Sequence, residues 1–129
     1  MIIDTSALVA ILFDEPDAAA FAEAIVAAEV RRISAATFVE TSIVVEAQTR
    51  GSGASQLDAL LRTATIGIEP VSEEQARVAR QAFVDFGKGR HPAGLNFGDC
   101  FSYALAKVTG EELLFKGEDF ASTDIERAI

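Results

Sequence analysis

Met1-Ile2-Ile3-Asp4-Thr5-Ser6-Ala7 joins a short apolar run to three side chains that favour the start of a helix. The apolar run predicts a buried strand, and Asp4, Thr5 and Ser6 are residue types that commonly cap the first turn of a helix. Asp4 would then stand at the carboxyl end of a strand. In a sheet of parallel strands, ligands bind outside this edge.

Further along the chain, strand-like and helix-like segments alternate. Strands are predicted at 32–34, 66–71 and 112–115, the last two from short apolar runs, with a small edge strand in the tail. Helical periodicity and breaking residues predict helices at 7–13, 16–29, 37–49, 54–64, 72–86 and 96–109. In the fifth of these, Ala76, Ala79, Phe83 and Phe86 recur at helical spacing and predict a buried core stripe. This alternation predicts an α/β fold with a central, mostly parallel sheet that is covered by helices on both faces.

Length and composition are consistent with one compact domain spanning residues 1–129. Half of the 129 residues are hydrophobic, which is enough for a sizeable core. No apolar run approaches the roughly 20 residues that span a bilayer, so we expect no membrane segment. The single cysteine, Cys100, cannot form an internal disulfide, which agrees with a reducing, cytoplasmic location.

The net charge limits how this chain could bind nucleic acid. Acidic residues outnumber Lys and Arg by 20 to 11, and the formal charge is −9. The net charge therefore excludes nucleic-acid binding that depends on an overall positive charge to hold the phosphates. Bound divalent cations or a basic protein partner would have to supply positive charge locally.

Four acidic residues, Asp4, Glu40, Asp99 and Asp119, each lie beside an apolar segment. Each also has a structural explanation. Asp4 is a helix N-cap type, Asp99 follows Asn96 where a carboxylate meets the positive end of a helix, and Asp119 sits in a polar loop. Glu40 is harder to explain, because it interrupts an apolar helix and a buried carboxylate needs a partner or a metal.

Taken together, four acids at one sheet edge would repel one another unless a cation neutralised them. Hard oxygen ligands suit Mg²⁺, with Mn²⁺ as a substitute. We expect Asp4 and Asp99 to bind one ion directly, with Glu40 and Asp119 completing that site or holding a second ion. Two ions roughly 3.5 to 4 Å apart can hydrolyse a phosphodiester without an amino-acid nucleophile.

Other candidate residues have supporting or structural interpretations. Ser6 would orient Asp4 or cap the helix, and Asn96 is the expected cap of the helix that carries Asp99. Cys100 is expected to be a packed thiol, since the lone His91 lies in a separate loop. The cations flanking Asp99 and Asp119 either contact phosphates or are solvated loop charges; they are Lys88, Arg90, His91 and Lys116.

Four segments, in order, resemble the motifs of PIN-domain ribonucleases, and among these the VapC toxins of bacterial type II toxin–antitoxin systems. They are Met1-Ile2-Ile3-Asp4-Thr5-Ser6-Ala7, Thr37-Phe38-Val39-Glu40, Leu95-Asn96-Phe97-Gly98-Asp99-Cys100 and Leu113-Leu114-Phe115-Lys116-Gly117-Glu118-Asp119-Phe120. The resemblance implies a three-layer α/β/α fold and a Mg²⁺-dependent endoribonuclease that acts on structured RNA such as tRNA or rRNA.

The resemblance also has consequences for the site and the partners. Asp4, Glu40 and Asp99 match the family's metal-binding acids. Many PIN domains carry a further acid where this chain has Gly117, so the fourth acid is Asp119, or the neighbouring Glu118, or is not contributed there. The family forms homodimers, and a cognate VapB-like antitoxin wraps the toxin, where an inserted Arg or Lys could satisfy the acids in place of metal.

Two other functions are compatible with parts of the pattern. A receiver-like or phosphatase domain places Mg²⁺ beside an Asp that follows a parallel strand, but it needs a close pair of strand-end acids, which is absent around Asp4. A non-catalytic PIN-fold interaction module would keep the fold and lose activity. The presence of all four acids favours the enzyme.

Overall fold

The computed structural model describes all 129 residues and contains four short strands, six α-helices and one 3₁₀ helix. In chain order they are β1 (Ile2–Ile3), α1 (Thr5–Leu12), α2 (Ala18–Ala27), β2 (Arg32–Ser34), α3 (Ala35–Thr49), α4 (Gly53–Thr63), β3 (Gly67–Glu69), α5 (Glu73–Phe86), α6 (Phe97–Thr109), β4 (Leu113–Leu114) and the 3₁₀ helix Phe120–Ser122. The predicted alternation is confirmed. None of these helices has the length and apolar character needed to cross a membrane.

The strands form one parallel sheet in the order β3-β2-β1-β4. β1 therefore lies inside the sheet, and Asp4 follows it directly. β3 is an edge strand and is shorter than the predicted run 66–71. The predicted edge strand of the tail is a single parallel bridge between Leu113 and Arg127.

Adjacent residues of β1 face opposite sides of the sheet and belong to two separate cores. Ile2 packs with buried residues of α5 and α6, including Leu105. Ile3 packs with buried residues of α1, α2 and α4, including Leu8 and Leu57. The sheet is thus a middle layer between two helical layers, which confirms the three-layer α/β/α architecture.

Three helix starts differ from the prediction by two residues. α1 begins at Thr5 and not at residue 7, because Asp4 caps it. The helix predicted from Pro16 begins at Ala18, because Pro16 belongs to a turn that precedes it. The helix predicted from Thr37 begins at Ala35, because the Ser34 hydroxyl accepts a hydrogen bond from the Ala36 amide and caps it. β2 therefore passes into α3 without a loop, and this direct junction brings Glu40 close to the edge of the sheet.

The predicted core stripe of α5 is only partly correct. Ala79 is buried and Phe86 is partly buried against the same core. Ala76 is exposed, however, and Phe83 is 40% exposed. Helical spacing places these residues on one side of α5, but the helix contacts the core over only part of that side. Phe83 instead lines an open apolar groove between α5 and α6, together with Phe97.

Candidate active site

Asp4 is 3% exposed and lies at the carboxyl end of β1. As the N-cap of α1, its Oδ2 accepts hydrogen bonds from the Ser6 amide at 3.0 Å and the Ser6 hydroxyl at 2.7 Å. Its Oδ1 accepts a 2.7 Å hydrogen bond from the Ser102 hydroxyl on α6. The predicted cap is present, and the same contacts hold the carboxylate in one orientation at the sheet edge.

Glu40 reaches this edge from the second turn of α3. Its Oε1 accepts a 2.5 Å hydrogen bond from the Thr5 hydroxyl, and its carboxylate lies so close to Gly98 that a Cβ there would collide with it. Burial raises the pKa of Glu40, the hydrogen bond from Thr5 lowers it, and the charge of Asp4 raises it. Glu40 and Asp4 are therefore near enough to repel each other when both are ionised.

Asp99 enters from the first turn of α6 and is 9% exposed. Its Oδ2 accepts a 3.0 Å hydrogen bond from the Asn96 amide, and the Asn96 side chain accepts a 2.9 Å bond from the Asp99 amide. Burial raises the pKa of Asp99 to about 7; the Asn96 hydrogen bond opposes this, and the charges of Asp4, Asp119 and Glu40 add to it. Three acids from three separate elements thus converge.

Asp119 lies at the rim of this group. It is exposed, precedes the 3₁₀ helix, and makes no capping hydrogen bond with its side chain. Its charge is one of those that raise the pKa of Asp99, whereas Glu118 does not contribute. Of the two candidates for the fourth acid, Asp119 is therefore the one whose charge acts on Asp99. We call Asp4, Glu40, Asp99 and Asp119 the acid cluster.

Comparison with known proteins identifies the family. A family model described as PIN domain matches residues 1–126. Ribonuclease VapC28 of Mycobacterium tuberculosis is 55% identical over 130 residues, covering 100% of this chain and 98% of that protein. The chain is a PIN-domain protein of the VapC ribonuclease family.

Two solved structures share the fold of this PIN domain. Mycobacterium tuberculosis VapC20, described as a sarcin-ricin loop cleaving toxin, aligns with a TM-score of 0.78 and 16% identity over 96% of this chain and 95% of its own. A chain of a toxin–antitoxin complex from Klebsiella pneumoniae aligns with a TM-score of 0.68 and 19% identity, covering 95% and 92%. At these identities the likeness concerns the fold alone.

The donor atoms of the PIN domain's acid cluster suit a divalent cation. No member of the cluster forms a salt bridge. Glu40 Oε2 and Asp99 Oδ1 accept no hydrogen bond, and carboxylate oxygens are the ligands that Mg²⁺ and Mn²⁺ prefer. As they stand, no three His, Cys, Asp or Glu side chains are placed so that they could hold a metal ion, so Glu40 and Asp99 would have to move closer to Asp4 for the three to share one.

Four hydroxyl side chains of the PIN domain support the acids, and none of the four was predicted as a site residue from the sequence. Thr5 and Ser102 donate directly to Glu40 and Asp4. Behind them, Thr41 donates to Thr5 at 3.1 Å, and Thr37 lies 3.1 Å from Ser102. A signal was available: Thr37 lies one helical turn before Glu40, and Ser102 one turn after Asp99, so each shares a face with an acid.

The cations of the neighbouring loops do not pair with the acid cluster. The Lys116 ammonium lies 2.5 Å from Glu15 instead. Arg90 lies over the Phe83 ring, and His91 Nδ1 accepts a hydrogen bond from the Ala93 amide. Lys88 forms no ion pair. For Lys116, the structure favours a local ion pair over a free phosphate-binding charge.

Cys100 is buried, as its apolar helix predicted. Its thiol donates to the Asn96 carbonyl at 3.2 Å. Burial, and then the nearby charge of Asp99, raise the pKa of Cys100 to about 11. The thiol is therefore protonated at neutral pH and is a poor nucleophile. His91 makes its hydrogen bond within its own loop, so the two do not form a catalytic pair.

Proposed function

We propose that this VapC-family ribonuclease is a Mg²⁺-dependent endoribonuclease toxin that hydrolyses phosphodiester bonds in structured RNA. The observation that carries the proposal is the convergence of Asp4, Glu40 and Asp99 without a protein cation. A fold that leaves buried acids unneutralised is less stable for it. A bound divalent cation would offset that cost and would make the same acids useful in catalysis.

Asp4, Glu40 and Asp99 would hold the cation, and Asp119 would complete the coordination or bind its waters. When bound, Mg²⁺ or Mn²⁺ supplies positive charge that acidifies a water and stabilises the leaving oxygen. Three hydrogen bonds already fix the orientation of the Asp4 carboxylate before a cation binds. Glu40 and Asp99 each keep one oxygen free for a ligand. The exposed Asp119 lies on the side from which an RNA backbone could approach.

The substrate class rests on the family and on electrostatics. VapC20, which shares the fold, is described as cleaving the sarcin-ricin loop. With a net charge of −9, this chain attracts phosphates only where cations are bound. A folded RNA such as tRNA or rRNA presents a fixed backbone geometry to such a local site. Action on these RNAs would require a cytoplasmic location, which we propose for the protein.

The antitoxin partner is supported by the Klebsiella toxin–antitoxin complex, one chain of which shares this fold. We propose that a cognate VapB-like antitoxin covers the acid cluster. An Arg or Lys of that partner inserted among the carboxylates would form charge-assisted hydrogen bonds in place of the metal. The negative net charge of this chain would attract a basic partner.

A homodimer is supported by an exposed apolar surface on α3 and α6. Its most exposed members are Phe97 at 79%, Ile43 at 65% and Val39 at 54%. Phe97 and Phe101 line both grooves beside α6, one shared with α5 and the other with α3. Exposed apolar patches of this kind mark protein–protein contacts. Each groove has one charged side chain, Arg80 in the groove with α5 and Glu40 in the groove with α3, so two chains of the same net charge would meet with little repulsion there.

RNA cleavage by the purified protein tests the proposed activity. We expect a structured RNA to be cut with Mg²⁺ or Mn²⁺, and cleavage to stop in EDTA. Asp4→Asn should also abolish cleavage while the protein stays folded, because the amide keeps the size of the side chain and removes its charge. Full activity in EDTA, or in the folded variant, would rule out metal-dependent chemistry at these acids.

A further inference from the structure

Two buried hydroxyl groups connect the elements that carry the acids. Ser102, on α6, is 0% exposed, and Thr37, on α3, is 1% exposed. The Ser102 hydroxyl donates to Asp4 Oδ1 at 2.7 Å and lies 3.1 Å from the Thr37 hydroxyl. Because the single hydroxyl proton of Ser102 is used on Asp4, Thr37 donates to Ser102. The two hydrogen bonds therefore form a chain that is donated from Thr37 to Ser102 and from Ser102 to Asp4.

A second hydroxyl chain has the same design. Thr41 on α3 donates to the Thr5 hydroxyl at 3.1 Å, and Thr5 donates to Glu40 Oε1 at 2.5 Å. Each chain begins on α3, crosses to another element and ends on a carboxylate oxygen. Asp99 differs, because its hydrogen bond comes from Asn96 at the start of its own helix.

We propose that Thr37 and Ser102 are positioning residues for the cation that the proposed function requires. By occupying one lone pair of Asp4 Oδ1, Ser102 fixes the carboxylate so that its remaining lone pairs face the other acids. Partners that orient ligating carboxylates in this way set metal affinity as well as geometry. Thr37 lies on α3 with Glu40, and Ser102 lies on α6 with Asp99. The hydrogen bonds from Thr37 through Ser102 to Asp4 therefore also fix the three acids relative to one another.

A purely packing role fits these two residues poorly. Hydroxyl groups in a fully buried position cost free energy unless they are hydrogen-bonded. Alanine and valine would fill the same volumes without that cost. The hydroxyls are instead arranged to deliver one charge-assisted hydrogen bond to Asp4, which is stronger than a bond between neutral groups.

Metal binding without RNA provides the test. The variants are Ser102→Ala, which removes the donor to Asp4, and Thr37→Val, which removes only the donor behind it. Thr37→Ser restores the hydroxyl. Thr109→Val is the matched control, because Thr109 lies two turns further along α6 and its hydroxyl bonds to the Leu105 carbonyl. Calorimetric titration with Mn²⁺ gives the dissociation constant, and RNA cleavage gives kcat and KM.

We expect Ser102→Ala to weaken Mn²⁺ binding by about 10- to 100-fold. Thr37→Val should weaken it by a smaller factor, Thr37→Ser should restore it, and Thr109→Val should leave it unchanged. At a fixed, subsaturating Mn²⁺ concentration, kcat should fall in Ser102→Ala while KM for RNA stays constant. A structural role alone would lower the melting temperature without changing the Mn²⁺ dissociation constant.

Wild-type Mn²⁺ affinity in folded Ser102→Ala would overturn the inference and leave the proposed function intact. If Ser102→Ala does not fold, the comparison of Thr37→Val with Thr37→Ser tests the inference instead. Equal Mn²⁺ affinities in those two variants would also overturn the inference. Absence of Mn²⁺ binding by the wild-type protein would overturn both the inference and the proposed function. The three results are distinguishable in one titration series.

Discussion

The two ends of the parallel sheet both gather partly buried acids, but they neutralise them in opposite ways. At the amino ends of the strands, Glu111 accepts a 2.5 Å hydrogen bond from the Met1 ammonium and pairs with the Arg32 guanidinium. Burial alone would raise the pKa of Glu111, yet these two cations lower it. At the carboxyl ends, the acid cluster has hydroxyl and amide donors and no cation.

The comparison distinguishes a carboxylate that the protein neutralises with its own cations from carboxylates whose charge it leaves free to bind a ligand. Where a carboxylate serves the fold, the chain supplies its own cations and the charges are matched within the molecule. At the acid cluster such cations are missing, so burying the carboxylates and bringing them close together lowers the stability of the folded state. A cation that binds from solution recovers this stability, so the repulsion within the acid cluster favours metal binding.

The largest expected difference between the two ends is in catalysis. Asp99→Asn keeps an oxygen that can accept from the Asn96 amide, so the cap of α6 remains while the charge is lost. We expect the cleavage rate to fall by roughly 10²- to 10⁴-fold, since a metal ion contributes several kcal/mol to the transition state. Glu111→Gln removes a charge at the other end and should retain wild-type kcat. Initial cleavage rates at saturating Mn²⁺ measure the effect of both variants. Equal losses of rate would contradict the functional difference between the two ends of the sheet.

Stability in the absence of metal should depend on pH through Asp99. Its folded pKa, about 7, lies above its ordinary value of 3.8, so the folded state binds more protons than the unfolded state between these values. Stability therefore falls as pH rises from about 4 to 7 and levels off above that. At about 1.4 kcal/mol per pKa unit, the decrease is up to about 4 kcal/mol.

Urea unfolding in EDTA at pH 5 and pH 8 measures this slope. Asp99→Asn should flatten it and should be more stable than the wild type at pH 8. Mn²⁺ should stabilise the wild type more at pH 8 than at pH 5, because protons and metal compete for the same oxygens. A wild-type protein whose metal-free stability rises between pH 5 and pH 7 would contradict the raised pKa of Asp99, which burial and then the neighbouring acids produce.

The sequence was sufficient to predict the parallel sheet and the elements from which the acids come. Short apolar runs and capping residues located β1, β4 and the starts of α5 and α6, because these signals are local. The burial of Phe83 was predicted wrongly, since helical spacing defines a face but not how much of that face another helix covers. Helical spacing places Ser102 on the same face of α6 as Asp99, but it does not predict that Ser102 contacts Asp4, because that contact joins two elements far apart in the chain.

The fourth acid shows a second limit of sequence reasoning. Both Glu118 and Asp119 follow β4 by a few residues, and nothing in their order distinguishes them. The tertiary path of the loop brings the charge of Asp119 to Asp99. Likewise, Lys116 flanks the motif in sequence but pairs with Glu15, which lies 101 residues earlier. Which acid acts on Asp99, and which acid Lys116 pairs with, thus depend on the tertiary fold and not on the order of residues in the chain.

Removing the acid at the amino end should have the opposite effect on stability from removing one at the carboxyl end. Glu111→Gln leaves Arg32 and the Met1 ammonium without their shared carboxylate. We expect a loss of about 2 kcal/mol, the usual worth of hydrogen bonds to charged groups in a partly exposed site. Urea unfolding at pH 8 in EDTA should thus show Glu111→Gln less stable and Asp99→Asn more stable than wild type. The same sign for both variants would contradict the comparison.

The smallest effect is expected from Arg32→Met, which removes one of the two cations at the amino end. Glu111 would keep its hydrogen bond with the Met1 ammonium, so the carboxylate would not be left unpaired. Arg32 is also imperfectly satisfied, because its Nε is buried without a hydrogen-bond partner. Methionine would fill much of the same space without that desolvation cost, and replacing buried ionic groups by apolar ones is often nearly neutral. We therefore expect a change in unfolding free energy below about 1 kcal/mol, measured by urea unfolding beside Glu111→Gln. A loss as large as that of Glu111→Gln would mean that Arg32, and not the ammonium, carries most of the neutralisation at this end of the sheet.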